Sequence, residues 1–254
     1  MKNKIYKSAL LIVLVFVLAF KSAEPPIQVY LIGDSTVCEY PLSRSPLTGW
    51  GMPFATFFDS IVVVQNHAKG GRSTRTFLEE NRWQPIYDEL KAGDYVFIQF
   101  GHNDEAKEEI YKDRYTTPED YLKNLEKFIS ETRSKGAIPI LLTPVTRMKF
   151  DKDGIAQETH EEYAGLAKKV AVKTGVTFID LNAESLKLLQ EFGPDKSKLL
   201  FNQLEAGENP HYPNGIKDNT HFSELGARKM AEIVLRELRK QNIKLVDHVM
   251  KPVK

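Results

Sequence analysis

The chain has 254 residues, of which 42% are hydrophobic and 27% charged, a formal charge of +1 and a single cysteine. That is enough apolar sequence for one α/β domain with a sizeable core, and the lone Cys38 excludes an internal disulfide. Residues 1–23 hold four lysines and no acid, so without them the charge becomes −3, which does not suit a nucleic-acid partner.

The amino terminus has the pattern of an export signal. Lys2, Lys4 and Lys7 precede twelve consecutive apolar residues, Ala9–Phe20. A secretory signal has such a basic start and an apolar run of ~7–15 residues, whereas a membrane span needs ~20. Cleavage is expected after Ala19 or Ala23, leaving no stable membrane anchor, and the alternative is an uncleaved anchor. Export to the periplasm or the medium is expected, and a chain without disulfides is compatible with a periplasm.

From residue 24 onward, short β-branched runs alternate with amphipathic stretches. Strands are expected at Ile27–Gly33, Ile61–Asn66, Asp94–Phe100, Ala137–Thr143 and Val176–Asp180. Helices are expected at Gly49–Asp59, Thr74–Leu90, Pro118–Lys135, His160–Thr174, Asn182–Glu191 and Ser223–Gln241. This alternation implies βαβ units and a parallel sheet. The Pro118 helix is the best punctuated, with Thr117 as cap, Pro118 at its first position and Gly136 past its end. Residues Gly193–Asn219, rich in Pro, Gly and Asn, read as an irregular insertion, and 24–254 as one domain.

Four segments can carry chemistry, and each falls beside a strand end or a helix start. Gly33-Asp34-Ser35 follows the first strand, on the edge where open α/β sheets place their ligands. Ala68-Lys69-Gly70-Gly71-Arg72-Ser73 follows the second strand; its glycines allow close backbone approach and free N–H groups. Gly101-His102-Asn103-Asp104 follows the third, and a side-chain amide there can donate to a developing oxyanion. Asp218-Asn219-Thr220-His221 precedes the last helix, with a spacing that lets the carboxylate hold Nδ1 and leave Nε2 free as a base. Taken singly, each segment also reads as an ordinary turn or cap. If the strand order is 2-1-3-4-5, the loops after strands two, one and three meet at one crevice.

Together, in this order, the four segments resemble the four blocks of the SGNH (GDSL-like) hydrolase superfamily. Gly33-Asp34-Ser35-Thr36, Gly70-Gly71-Arg72-Ser73-Thr74-Arg75, Phe100-Gly101-His102-Asn103-Asp104, Thr143-Pro144-Val145-Thr146-Arg147 and Asp218-Asn219-Thr220-His221 are most similar to rhamnogalacturonan acetylesterases. The resemblance implies a three-layer, flavodoxin-like α/β fold with a five-stranded parallel sheet flanked by helices. It implies a serine esterase that removes acetyl groups from an acetylated polysaccharide, without metal or organic cofactor. Ser35 would be the nucleophile, His221 its base and Asp218 the orienting acid, with an oxyanion hole from Ser35, Gly71 and Asn103.

Arg72, Arg75 and Arg147 could offer forked donors to uronate carboxylates, or could tie down their own loops. His102 is expected to hydrogen-bond its own turn rather than line the pocket. Trp50 and Trp83 are expected in the core rather than stacked on sugar. Three alternatives stand beside this reading: an acetylesterase on another glycan such as xylan, a non-catalytic carbohydrate-binding module, and a cysteine hydrolase built on Cys38.

Overall fold

A computed structural model describes residues 25–250. The expected signal at residues 1–23 lies outside the described residues.

Five strands form a fully parallel sheet: β1 (Ile27–Gly33), β2 (Val62–Asn66), β3 (Tyr95–Gln99), β4 (Ile138–Leu142) and β5 (Thr177–Ile179), in the order β2-β1-β3-β4-β5. Each strand lies within a run expected from sequence. Period-two alternation sends successive side chains to opposite faces, so the sheet has two cores. Val29, Leu31, Phe97, Ile140 and Leu142 join one apolar cluster, and Tyr30, Ile32, Val96, Ile98 and Leu141 join the other. β3 is buried at every position, as a strand covered on both faces must be.

Helices α1 (Gly51–Phe54), α6 (Leu181–Ser197) and α7 (Glu224–Lys240) cover the first face. Helices α2 (Thr74–Glu79), α3 (Trp83–Glu89), α4 (Pro118–Ser134) and α5 (Glu161–Thr174) cover the second. The arrangement is the expected three-layer α/β fold. α4 keeps its punctuation: the Thr117 hydroxyl accepts from the Asp120 N–H at 3.2 Å, and Gly136 takes φ +73° just past the end.

Three elements differ from expectation. The helix expected over Thr74–Leu90 is two helices, because Asn81 takes φ +55° between them, which no helix interior accommodates. The helix expected over Gly49–Asp59 shrinks to one turn, α1, followed by a 3-10 turn at Ala55–Phe57. The expected irregular insertion is largely ordered. Its start continues α6 across a break at Gly193 (φ +70°), and its remainder builds the antiparallel hairpin β6 (Phe201–Leu204) and β7 (Ile216–Phe222).

Candidate active site

The loops after β2, β1 and β3 do meet at one crevice. The sheet order guarantees it, because β1 lies between β2 and β3. The crevice opens into a cleft of about 930 Å³ whose lining includes Ser35, Gly71, Asn103, Arg147 and His221.

Buried carboxyl groups fasten the loops that carry the site. Asp34 is inaccessible to solvent and its Oδ1 accepts from the Thr36 N–H at 2.9 Å and hydroxyl at 2.8 Å. Its backbone carbonyl takes the N–H groups of Val37 and Cys38, so the turn that presents Ser35 is closed on both sides. Asp104 is equally buried, and its Oδ1 accepts from the Thr74 N–H at 2.9 Å and hydroxyl at 2.6 Å. It thereby ties the third motif to the first turn of α2, and with it the Gly71 loop. Burial pushes both carboxyls up, Asp104 to about 7.

Gly71 has φ +80°, a conformation in which a side chain costs free energy and glycine does not. Among the described residues, neither its N–H nor that of Ser35 donates a backbone hydrogen bond. The Asn103 side chain donates from Nδ2 to the Arg72 carbonyl at 3.0 Å and accepts at Oδ1 from Arg114 Nη1 at 3.0 Å.

Asp218 and His221 arrive on β7 of the hairpin. Phe201 pairs with Phe222 and Gln203 with Lys217, so Asn202 alone stands opposite the four residues Asp218–His221. Those four bulge out of the ladder toward Ser35. The bulge closes on its own carboxylate: Asp218 Oδ1 accepts the N–H groups of Thr220 at 2.8 Å and His221 at 2.9 Å. Asp218 Oδ2 takes the His221 Nδ1–H at 2.7 Å, and His221 Nε2 accepts from Ser35 Oγ at 2.9 Å. Burial pushes the Asp218 carboxyl up, but its hydrogen bond and charge interaction with His221 and the two N–H donors outweigh it and hold the group below the usual range.

The three arginines divide. Arg72 pairs with Glu80 and donates to the Gly70 carbonyl, while Arg75 pairs with Glu79 and donates to the carbonyls of Asp113 and Tyr115. Both tie loops together, the alternative that the sequence left open, and neither is among the residues that line the cleft. Arg147 does line the cleft, donating to the Thr220 hydroxyl and lying 3.7 Å from Glu105.

His102 departs from expectation in another way: its ring lines the cleft floor 4.2 Å from His160, and neither ring nitrogen has a hydrogen-bond partner. Burial holds it well below the ordinary histidine range, hence neutral. Trp50 and Trp83 are core residues, as expected, with their ring N–H groups on Gln99 and Glu131. Cys38 is buried, and burial raises its thiol, the opposite of what a cysteine nucleophile needs. Among the described residues, no three His, Cys, Asp or Glu side chains are grouped to hold a metal ion.

Sequence reasoning missed Arg44, Lys69 and Arg114, which line the same cleft and have no carboxylate partner among the described residues. Lys69 lies inside the glycine segment without a role assigned to its charge, and Arg44 and Arg114 lie outside every segment, so only placement could reveal them.

Residues 31–229 match the model of the GDSL-like lipase/acylhydrolase family. The chain belongs to that family. It is a carboxylic ester hydrolase. The rhamnogalacturonan acetylesterase RhgT of Bacillus subtilis is 43% identical over 226 residues, 89% of this chain and 95% of that protein. A rhamnogalacturonan acetylesterase of Emericella nidulans is 31% identical over 82% of this chain and 83% of its own. The acetylxylan esterase Axe2 of Geobacillus stearothermophilus shares the family's fold, with a TM-score of 0.62 at 20% identity over 85% of this chain and 95% of its own.

Proposed function

We propose that this enzyme removes acetyl groups from an acidic polysaccharide, rhamnogalacturonan in particular, with Ser35, His221 and Asp218 as its catalytic residues. The observation that carries the chemistry is the chain of contacts Ser35 Oγ to His221 Nε2 at 2.9 Å and His221 Nδ1 to Asp218 at 2.7 Å. Serine is a weak nucleophile unless a base adjoins it. Ser35 Oγ attacks the acetyl carbonyl while His221 Nε2 takes its proton. His221 then returns that proton to the sugar oxygen as the ester bond breaks. Water repeats the cycle on the acetyl-enzyme. Asp218 stays ionised throughout and stabilises the imidazolium. The unengaged N–H groups of Ser35 and Gly71, with the Asn103 amide, receive the oxyanion.

The glycan assignment draws on the two similar rhamnogalacturonan acetylesterases. Arg44, Lys69 and Arg147 in the cleft lining add chemical support, since uronate carboxylates need cations or N–H donors. Acetate release from acetylated rhamnogalacturonan and acetylated xylan, each with the Ser35→Ala enzyme as control, tests both parts. Release from the pectic chain that vanishes with Ser35→Ala is expected. Release from xylan alone would discard the glycan and keep the mechanism.

The exported location rests on residues 1–23. N-terminal sequencing of the secreted enzyme should read from Phe20 or Glu24, and a chain retained with Met1 would reject export by cleavage.

A further inference from the structure

A side-chain amide is nearly symmetric in shape, and a half-turn about its last bond exchanges a donor for an acceptor. For an oxyanion donor the difference is total: flipped, Asn103 would turn an oxygen toward the developing negative charge. Something must therefore set its orientation. We infer that Arg114 is a positioning residue that locks the Asn103 amide with Nδ2 toward the oxyanion. This rests on the proposal that Asn103 is an oxyanion donor.

Two contacts of opposite polarity hold the amide. Arg114 Nη1 lies 3.0 Å from Oδ1, and a guanidinium can only donate. The Arg72 carbonyl lies 3.0 Å from Nδ2, and a carbonyl can only accept. A flip would set NH2 against guanidinium and oxygen against oxygen, losing both bonds at once at a residue that is only 6% exposed. Nδ2 carries two hydrogens, and the Arg72 carbonyl occupies one. The other remains for the substrate.

Both holders are themselves held. Arg114 has its guanidinium 4.5 Å over the Tyr111 ring, and its backbone N–H donates to the Tyr111 carbonyl at 2.9 Å. No carboxylate among the described residues competes for it. Its Nη1 would be 3.9 Å from a side-chain carbon built on Gly71, so it stands directly beside the Gly71 donor as well. On the other side, Arg72 is clamped by Glu80 and the Gly70 carbonyl. Arg72 thus serves the site through its backbone oxygen.

Steady-state kinetics of Arg114→Met, Arg114→Lys, Asn103→Ala and Asn103→Ala/Arg114→Met, on 4-nitrophenyl acetate and on acetylated rhamnogalacturonan, test this. Arg114→Met should lower kcat about 10- to 100-fold on both substrates with KM nearly unchanged. Arg114→Lys, still only a donor, should recover a large part of the loss. In the Asn103→Ala background the Arg114 change should cost nothing further, because there is no amide left to orient. Multiplicative losses in the double variant would overturn the inference. So would a higher KM confined to the acidic glycan, which would make Arg114 a contact for a uronate carboxylate. Unchanged kcat for Arg114→Met beside an impaired Asn103→Ala enzyme would reject Arg114 alone, whereas an unimpaired Asn103→Ala enzyme would remove the oxyanion role itself.

Discussion

The two halves of the active site are built in opposite ways. Ser35, Gly71 and Asn103 sit on short loops at the edge of a sheet buried on both faces, fastened by carboxyl groups with no access to solvent. Asp218 and His221 ride on a two-stranded arm, in a bulge, with side chains 20% and 31% exposed. The difference separates stability from chemistry. The proposed nucleophile and oxyanion donors depend on the same hydrogen bonds and packing that hold the domain together. The proposed base depends on a small arm seated where Phe201 meets Phe222 and the Ser223 N–H bonds the Leu200 carbonyl at 3.1 Å, and tied at its bulge by the Met148 N–H to the Asn219 carbonyl at 2.8 Å.

The largest effect expected from this contrast is on the arm. His221→Ala should lower kcat at least about 10⁴-fold while changing unfolding free energy by less than about 1 kcal/mol, as substitutions outside a core do. Kinetics paired with urea unfolding check it. A large loss of stability would show that the arm is part of the core after all.

The seat of the arm is the next test. Gly226, in the first turn of α7, lies so close to the hairpin that a side-chain carbon built there would stand 1.8 Å from the Leu200 carbonyl oxygen. Gly226→Ala should force the hairpin off α7. We expect about 1–3 kcal/mol of destabilisation and a fall in kcat of about 10- to 100-fold as His221 leaves Ser35. Wild-type kcat in that variant would show that the base is placed by something other than the seat.

The smallest effect belongs to the buried side and is read through pH. Asp104 titrates near 7 in the folded chain, above the ordinary carboxyl range because of burial. A raised carboxyl makes the folded state bind more protons than the unfolded one between about pH 4 and 7, so this group takes stability away as pH rises through that window. Asp104→Asn, which keeps an acceptor for Thr74, should flatten that part of the profile in urea unfolding from pH 4 to 8. Asp218, held low by His221, works in the other direction: its contribution is present above the ordinary carboxyl range and lost as pH falls through its own lowered value. A pH profile identical in wild type and Asp104→Asn would show that Asp104 does not titrate in this range.

Much of this was legible in the chain itself. The five strands announced themselves by β-branched runs, a local property, whereas the motif residues stood out only as four segments taken together in the order of a known family. What failed to show did so for physical reasons. Residues 201–222 contain polar strands with Asp218 and Asn219 in the second, and the bulge breaks the alternation that would have marked it. Asn81 ended a helix early because a left-handed residue leaves the hydrophobic period intact while redirecting the chain. Arg72 and Arg75, chosen for charge and nearness to Gly71, found carboxylates of their own on α2 and beside it. Arg44, Lys69 and Arg114 line the cleft with no carboxylate partner among the described residues.

The sequence by itself determined the five strands and the two-faced core, since periodicity acts over a few positions, and its family resemblance pointed to Ser35, Asp218 and His221. Only the tertiary structure decided which arginine touches the cleft, which way an amide faces and how His221 reaches a serine 186 residues away. Those outcomes depend on which partner each group meets first in space. A charge or an amide is committed by its nearest complementary neighbour, and that neighbour is delivered by the packing of distant segments.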